Sequence, residues 1–184
     1  MAYLTRNELL KTLAAARKES ERNWLMILVG FWHGLRTGEI IRLRADNIRD
    51  SYLIVKRQKG SKKTEQVMYE RPHEPLLDEA PALKKLACEV KSGYLFPGGA
   101  GDGHLDRTTF YRIFRRAAEA AGLTYPLTHP HVLKHTVAML TLQKTGEKGV
   151  GIVQKHLGHV SGRSTLEYLK VGAEEASKAV GEAI

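Results

Sequence analysis

Residues 51–70 read SYLIVKRQKGSKKTEQVMYE, and this stretch decides the architecture. Its ends, SYLIVKR and EQVMYE, are β-branched and aromatic, the composition that suits a pleated, half-buried surface. Between them QKGSKK contains Gly60 and is mostly charged, so the stretch is predicted to be a β-hairpin with a basic tip. Five cations fall within KRQKGSKK, and by composition alone such a tip is a solvated turn as readily as a binding surface.

On both sides of the hairpin the apolar residues recur at helical spacing. Thr5 followed by Glu8 is a capping-box pattern, and Leu9, Leu10, Leu13 and Ala14 carry a first helix to about Glu19. A second begins near Arg22. Its Trp24, Leu25, Leu28, Val29 and Trp32 are dense enough for a buried central helix, and Gly34 marks its stop. Gly38 to Arg44 reads as a third, short helix. Beyond the hairpin, helices are expected at Leu76 to Lys91, at Arg107 to Ala121 after the loop FPGGAGDGH, and then at 129–144, 150–157, 162–170 and 174–182. The expected fold is mainly α with a small antiparallel β-sheet (α+β). With no repeat, low-complexity tract or long linker, residues 1–184 read as a single domain.

Composition narrows the function. The 29 Lys and Arg against 20 Asp and Glu give a net charge of +9, which favours a polyanionic partner, nucleic acid first. The lone Cys88 excludes an internal disulfide and a multi-cysteine zinc site. No stretch approaches the roughly 20 apolar residues of a membrane span, and the first residues lack the apolar core of a signal peptide, so a soluble, cytoplasmic protein is expected. His131 and His135 lie four apart, yet no glutamate or third ligand completes a zinc motif. The glycines of GGAGDG do not join a strand to a helix in the dinucleotide-binding manner. No metal or cofactor is expected.

Five pieces in a fixed order narrow it further: HGLRTGEIIRL at 33–43, the hairpin with Lys59, HPHVLKH at 129–135, LGH at 157–159, and Tyr168. In this order the chain resembles the tyrosine recombinases and phage-type integrases over almost its whole length. The gaps are 95 residues from Arg36 to His131, 28 from His131 to His159 and 9 from His159 to Tyr168. The resemblance matches Arg36 to the first active-site arginine, Glu39 to the acidic residue of the same short helix, and Lys59 to the hairpin lysine. It matches His131 to the opening of the His-x-x-Arg motif, His159 to the end of Leu-Gly-His, and Tyr168 to the nucleophile. Lys134 departs from the pattern, standing where a second arginine is expected. The resemblance also implies a catalytic domain without the N-terminal DNA-clamping domain, and HPHVLKH with HGLRTGEI is similar to the short fimbrial-switch invertases.

The chemistry that this family implies fits these residue types. A covalent phosphotyrosyl intermediate preserves the energy of the broken phosphodiester, but a phenol of pKa about 10 needs a cationic, proton-accepting surround. Arg36 would grip two non-bridging oxygens, with Glu39 orienting it. Lys59 would protonate the leaving 5′-oxygen, while His131 and His159 would handle protons and bind the phosphate. Lys134 keeps the charge of the usual arginine but loses its two-pronged grip.

Lys56, Arg57, Lys62 and Lys63 of the hairpin and Arg112, Arg115 and Arg116 on one helix are expected to track the DNA backbone. The tail 172–184 is weakly amphipathic, and the resemblance implies that it docks on a neighbouring protomer of a tetramer on DNA. Two alternatives stay open: a non-cleaving DNA-binding protein derived from a recombinase, and an enzyme like the type IB topoisomerases.

Overall fold

The computed structural model describes residues 1–58, 61–91, 93–99, 103–160 and 165. The helices expected at 162–170 and 174–182 therefore lie outside the described residues, Thr165 apart, as do Lys59, Tyr168 and the tail.

The chain opens with α1 (Arg6–Glu19), whose capping box forms as expected: the Thr5 N–H donates to Glu8 Oε2 at 2.7 Å and the Glu8 N–H to Thr5 Oγ1 at 3.3 Å. Ser20 breaks this helix and caps the next, accepting from the Arg22 N–H at 3.1 Å. α2 (Glu21–Trp32) is buried continuously from Asn23 to Phe31, as befits a helix that is apolar all round. α1 packs against α2 and against α5 (Arg107–Ala120), which buries Phe110, Ile113, Phe114, Ala117 and Ala118 on one face. α6 (His131–Thr145) packs on α2 and on α7 (Gly149–Leu157). These helices enclose one hydrophobic core.

α3 (Thr37–Ile40) is shorter than expected, because the chain turns at once through a 3-10 segment, Ala45–Asn47, where Asn47 Oδ1 accepts from the Arg44 N–H at 2.8 Å. The sheet then forms as an antiparallel meander of β1 (Ile48–Arg49), β2 (Tyr52–Val55) and β3 (Thr64–Val67). β1 was not foreseen, being only two residues long. Leu53 pairs with Gln66 and Val55 with Thr64, and all four are buried on the face turned to the helices.

α4 (Ala80–Val90) begins four residues later than the apolar pattern suggested. Pro81 suits a first helical turn, and residues 71–79 are held instead by the indoles of α2: Trp24 Nε1 donates to Leu76 O at 2.9 Å and Trp32 Nε1 to Leu77 O at 3.0 Å. Among the described residues no helix is long and apolar enough to cross a membrane.

Candidate active site

The site is organised around one buried carboxylate. The sharp turn after α2 uses Gly34 at φ 56°, where a Cβ would also stand 2.3 Å from Leu157 Cδ2, so the turn both reverses the chain and lets α7 approach. It delivers Arg36 to the N-terminus of α3. One helical turn on, Glu39 reaches back: its Oε2 accepts from the Arg36 N–H at 2.9 Å and its Oε1 from Arg36 Nη1 at 3.2 Å. The Gln58 N–H donates to the same Oε1 at 2.9 Å, tying α3 to the hairpin. Burial opposes the Glu39 charge, but the Gln58 and Arg36 N–H groups and the Arg57 and Arg36 guanidinia outweigh it and hold the carboxyl below its ordinary range.

Arg36 is only partly covered, its side chain 22% exposed. Among the described residues Nη1 makes all of the side-chain bonds of Arg36, to Glu39, Gln58 O and Ser61 Oγ. Nε and Nη2, the edge of the guanidinium suited to bidentate recognition, take no part in them.

The DNA-contact expectation for Arg57 is corrected. Leu53 and Val55 face the core on alternate residues, and Arg57 continues that alternation inward past the end of the strand. Its side chain is fully buried, with Nη1 donating to Glu39 Oε2 at 3.1 Å. The other hairpin cations, Lys56, Lys62 and Lys63, are exposed. Arg112, Arg115 and Arg116 are exposed too, but Arg115 pairs with Glu119 at 2.7 Å and Arg116 with Glu19 at 3.0 Å, while Arg112 reaches Thr109.

α6 and α7 supply the remaining groups. His131 is the first residue of α6, and its N–H donates to His129 Nδ1 at 3.2 Å, with the two rings 4.8 Å apart. Lys134, one turn further, is buried. Its pKa is pushed down to about 8 by burial first and then by the charges of Arg36 and Arg57, against the pull of Glu39. α7 ends at Gly158, φ 66°, whose carbonyl accepts from the Lys62 N–H at 2.9 Å and so fastens the hairpin to the helix end. His159 follows, its Nδ1 2.9 Å from Thr165 Oγ1. Burial, with Lys134, Arg36 and Arg57, pushes its pKa down to about 4, so the imidazole is neutral at pH 7.

The fold thus brings Arg36, Glu39, Lys134 and His159 into one cationic neighbourhood, with His131 at the head of the helix that bears Lys134. Lys59 and Tyr168 lie outside the described residues. A cleft lined by Lys62, Lys63, Gln154, Lys155 and Gly158 opens beside His159. Sequence reading passed over the polar residues that support this group. Gln58 and Ser61 hold Arg36, and behind them His33, Gln66, Glu79 and His156 form a buried hydrogen-bonded chain. The one available signal was the polar residues Arg57, Thr64 and Gln66 on the inward face of a strand pair.

The phage integrase family model matches residues 2–175. The tyrosine recombinase XerD of Bradyrhizobium diazoefficiens is 32% identical over 170 residues, covering 89% of this chain, which spans about half of that relative's length (53%). The type 1 fimbriae regulatory protein FimB of Escherichia coli is 30% identical over 176 residues, covering 90% of this chain and 82% of FimB. Among solved structures, the XerA recombinase superposes with a TM-score of 0.73 at 24% identity, covering all of this chain and 65% of XerA. The XerH recombinase in its post-cleavage complex with a palindromic difH substrate gives 0.72 at 25% identity, covering 97% and 52%. From the family match over nearly its full length and the relatives that share its fold, the chain belongs to the phage integrase family of tyrosine recombinases.

Proposed function

We propose that the chain is the catalytic domain of a site-specific DNA recombinase that cleaves and rejoins duplex DNA through a 3′-phosphotyrosyl bond at Tyr168. The observation that carries this reading is the meeting of Arg36, Glu39, Lys134 and His159, drawn from the α2–α3 turn, α3, α6 and the end of α7, around one half-buried cationic site. The names of the XerD and XerH relatives favour a recombinase over a topoisomerase or a non-cleaving regulator.

In this mechanism the Tyr168 oxygen attacks the scissile phosphorus, the bond to the 5′-oxygen breaks, and Lys59 gives that oxygen its proton. The unused edge of Arg36 holds two non-bridging oxygens of the five-coordinate phosphate, and Lys134 supplies a further positive charge. Neutral His159, with His131, donates to the phosphate and takes part in moving the phenolic proton. Rejoining runs the same steps backward with the 5′-hydroxyl of another strand.

Lys56, Lys62, Lys63 and Arg112 contact the DNA backbone, with Arg115 and Arg116 joining them where their ion pairs yield, since exposed pairs are weak. The tail 172–184 docks on the next protomer of a DNA-bound tetramer, and the protein works in the cytoplasm. The test is a nicked suicide substrate. Wild type should leave a protein–DNA adduct that survives denaturation and that disappears in Tyr168→Phe; a missing adduct, or one that persists in Tyr168→Phe, refutes the reading.

A further inference from the structure

Among the described residues of the hairpin Arg57 has the most highly bonded side chain, and its guanidinium reaches no solvent. Its Nε donates to Thr64 Oγ1 at 2.9 Å, across the hairpin. Nη1 donates to Gly34 O at 3.2 Å and Glu39 Oε2 at 3.1 Å, and Nη2 to His33 O at 2.7 Å and His156 O at 3.1 Å, with a longer contact of 3.4 Å to Gln66 Oε1. The carbonyl of His33 caps α2, that of Gly34 follows it in the turn, and that of His156 lies in the last turn of α7. His33 and His156 mark the negative poles of two helix dipoles, and one buried cation satisfies both together with a buried carboxylate.

Arg57 and the backbone carbonyls it binds stand on segments that carry groups of the site. Arg36 follows Gly34 by two residues, Lys59 follows Arg57 by two, and His159 follows His156 by three. The Glu39 carboxylate is moreover shared between Arg57 and Arg36. Without Arg57, all of its negative charge would act on Arg36 and Lys134, drawing the Arg36 guanidinium inward from the surface that meets the phosphate.

We infer that Arg57 is a positioning residue for strand cleavage, one that never touches DNA and that aligns Arg36 and His159 by joining the ends of α2 and α7 to Glu39. The inference rests on the recombinase reading above. A lysine at this position would keep the charge but lose the planar fork that reaches three segments at once.

The experiment compares wild type with Arg57→Lys, Glu39→Gln and the double variant, all as full chains. Arg57→Lys should bind target DNA within about twofold of wild type, because phosphate contacts set affinity and Arg57 makes none. It should form the covalent adduct about tenfold to a hundredfold more slowly, the scale of a small misplacement of reacting groups. Amide exchange should quicken together in 33–41, 57–66 and 155–159 while α1 and α5 keep their protection. The double variant should be no slower than the slower single one, since both act through the same carboxylate.

Undiminished cleavage by Arg57→Lys, a loss of DNA affinity that matches the loss of rate, additive losses in the double variant, or exchange that quickens evenly along the chain would each overturn the inference while an active wild type leaves the recombinase reading intact. A wild type that forms no adduct would overturn the reading itself, and the cleavage role of Arg57 with it.

Discussion

Lys134 carries a charge that the folded protein tolerates at a cost, and Lys134→Met should expose it. Lowering a lysine from 10.5 to about 8 corresponds to about 3 kcal/mol of opposition to the charged form, at about 1.4 kcal/mol per tenfold. With Lys134 only 7% exposed, solvent screens little of it. Methionine matches the unbranched stem without the ammonium, so Lys134→Met should stabilise the DNA-free protein at pH 7 by up to about 3 kcal/mol. Its melting temperature should rise by about 2–4 °C for each kcal/mol gained.

The pH dependence fixes the cause. Below pH 8 the lysine is protonated both folded and unfolded, and the folded state bears the whole penalty. Between about 8 and 10.5 the folded protein has lost a proton that the unfolded chain still holds, so wild-type stability rises with pH through this window. The advantage of Lys134→Met should therefore be full at pH 7 and fade toward pH 10.5. Calorimetric or urea unfolding of both proteins across this range is the assay. A variant no more stable than wild type at pH 7, or an advantage that stays constant to pH 10.5, refutes the reasoning. The same variant should lose adduct formation, and an uncharged side chain here that cleaves at the wild-type rate would remove Lys134 from the mechanism.

Gly158→Ala should lower stability by about 2 kcal/mol, because its φ of 66° disfavours a side chain and a Cβ would stand 2.7 Å from the Lys62 carbonyl; an unchanged melting temperature would contradict this. In the buried chain behind the site, His156 Nε2 faces a carbonyl and must donate, so its Nδ1 accepts from Gln66 and Gln66 Oε1 accepts from His33. A proton therefore lies between His33 Nε2 and Glu79 Oε1, 2.8 Å apart and both fully buried. Glu79→Leu should cost about 3–5 kcal/mol in urea unfolding and Glu79→Gln, which can still donate to His33, clearly less; equal losses would count against this assignment. Burial pushes the His156 pKa down to about 4, so the folded state resists a proton that the unfolded chain accepts from about 6.5 downward. Stability should fall as pH drops from 6.5 to 4, more steeply in wild type than in His156→Gln, and matching acid profiles would refute this.

Much of this molecule is written locally. The β-branched and aromatic ends of residues 51–70 specified a strand pair, and the helical spacing of Leu9, Leu10, Leu13 and Ala14 specified a helix whose Leu9 and Leu13 turn fully inward while Leu10 and Ala14 lie at the edge of the buried face, because periods of two and 3.6 follow from backbone geometry alone. Capping at Thr5 depends on neighbours within a few positions and was equally accessible. The ordered motifs also named Arg36, Glu39, Lys134 and His159, which the fold does bring together.

The tertiary structure alone decided what the cations do. Arg57 and Lys56 are adjacent and alike in charge, yet one is buried among two helix ends and a carboxylate while the other is exposed. The difference comes from acceptors 18 to 99 positions away: Glu39, Gly34, His33 and His156. The lowered pKa values of Lys134 and His159 arise in the same way, from desolvation and from charges that approach only when α3, α6 and α7 pack. Short-range periodicity determines which elements form and which faces they bury. The protonation and orientation of a buried group depend on what distant segments place beside it, and that is fixed only when the chain folds.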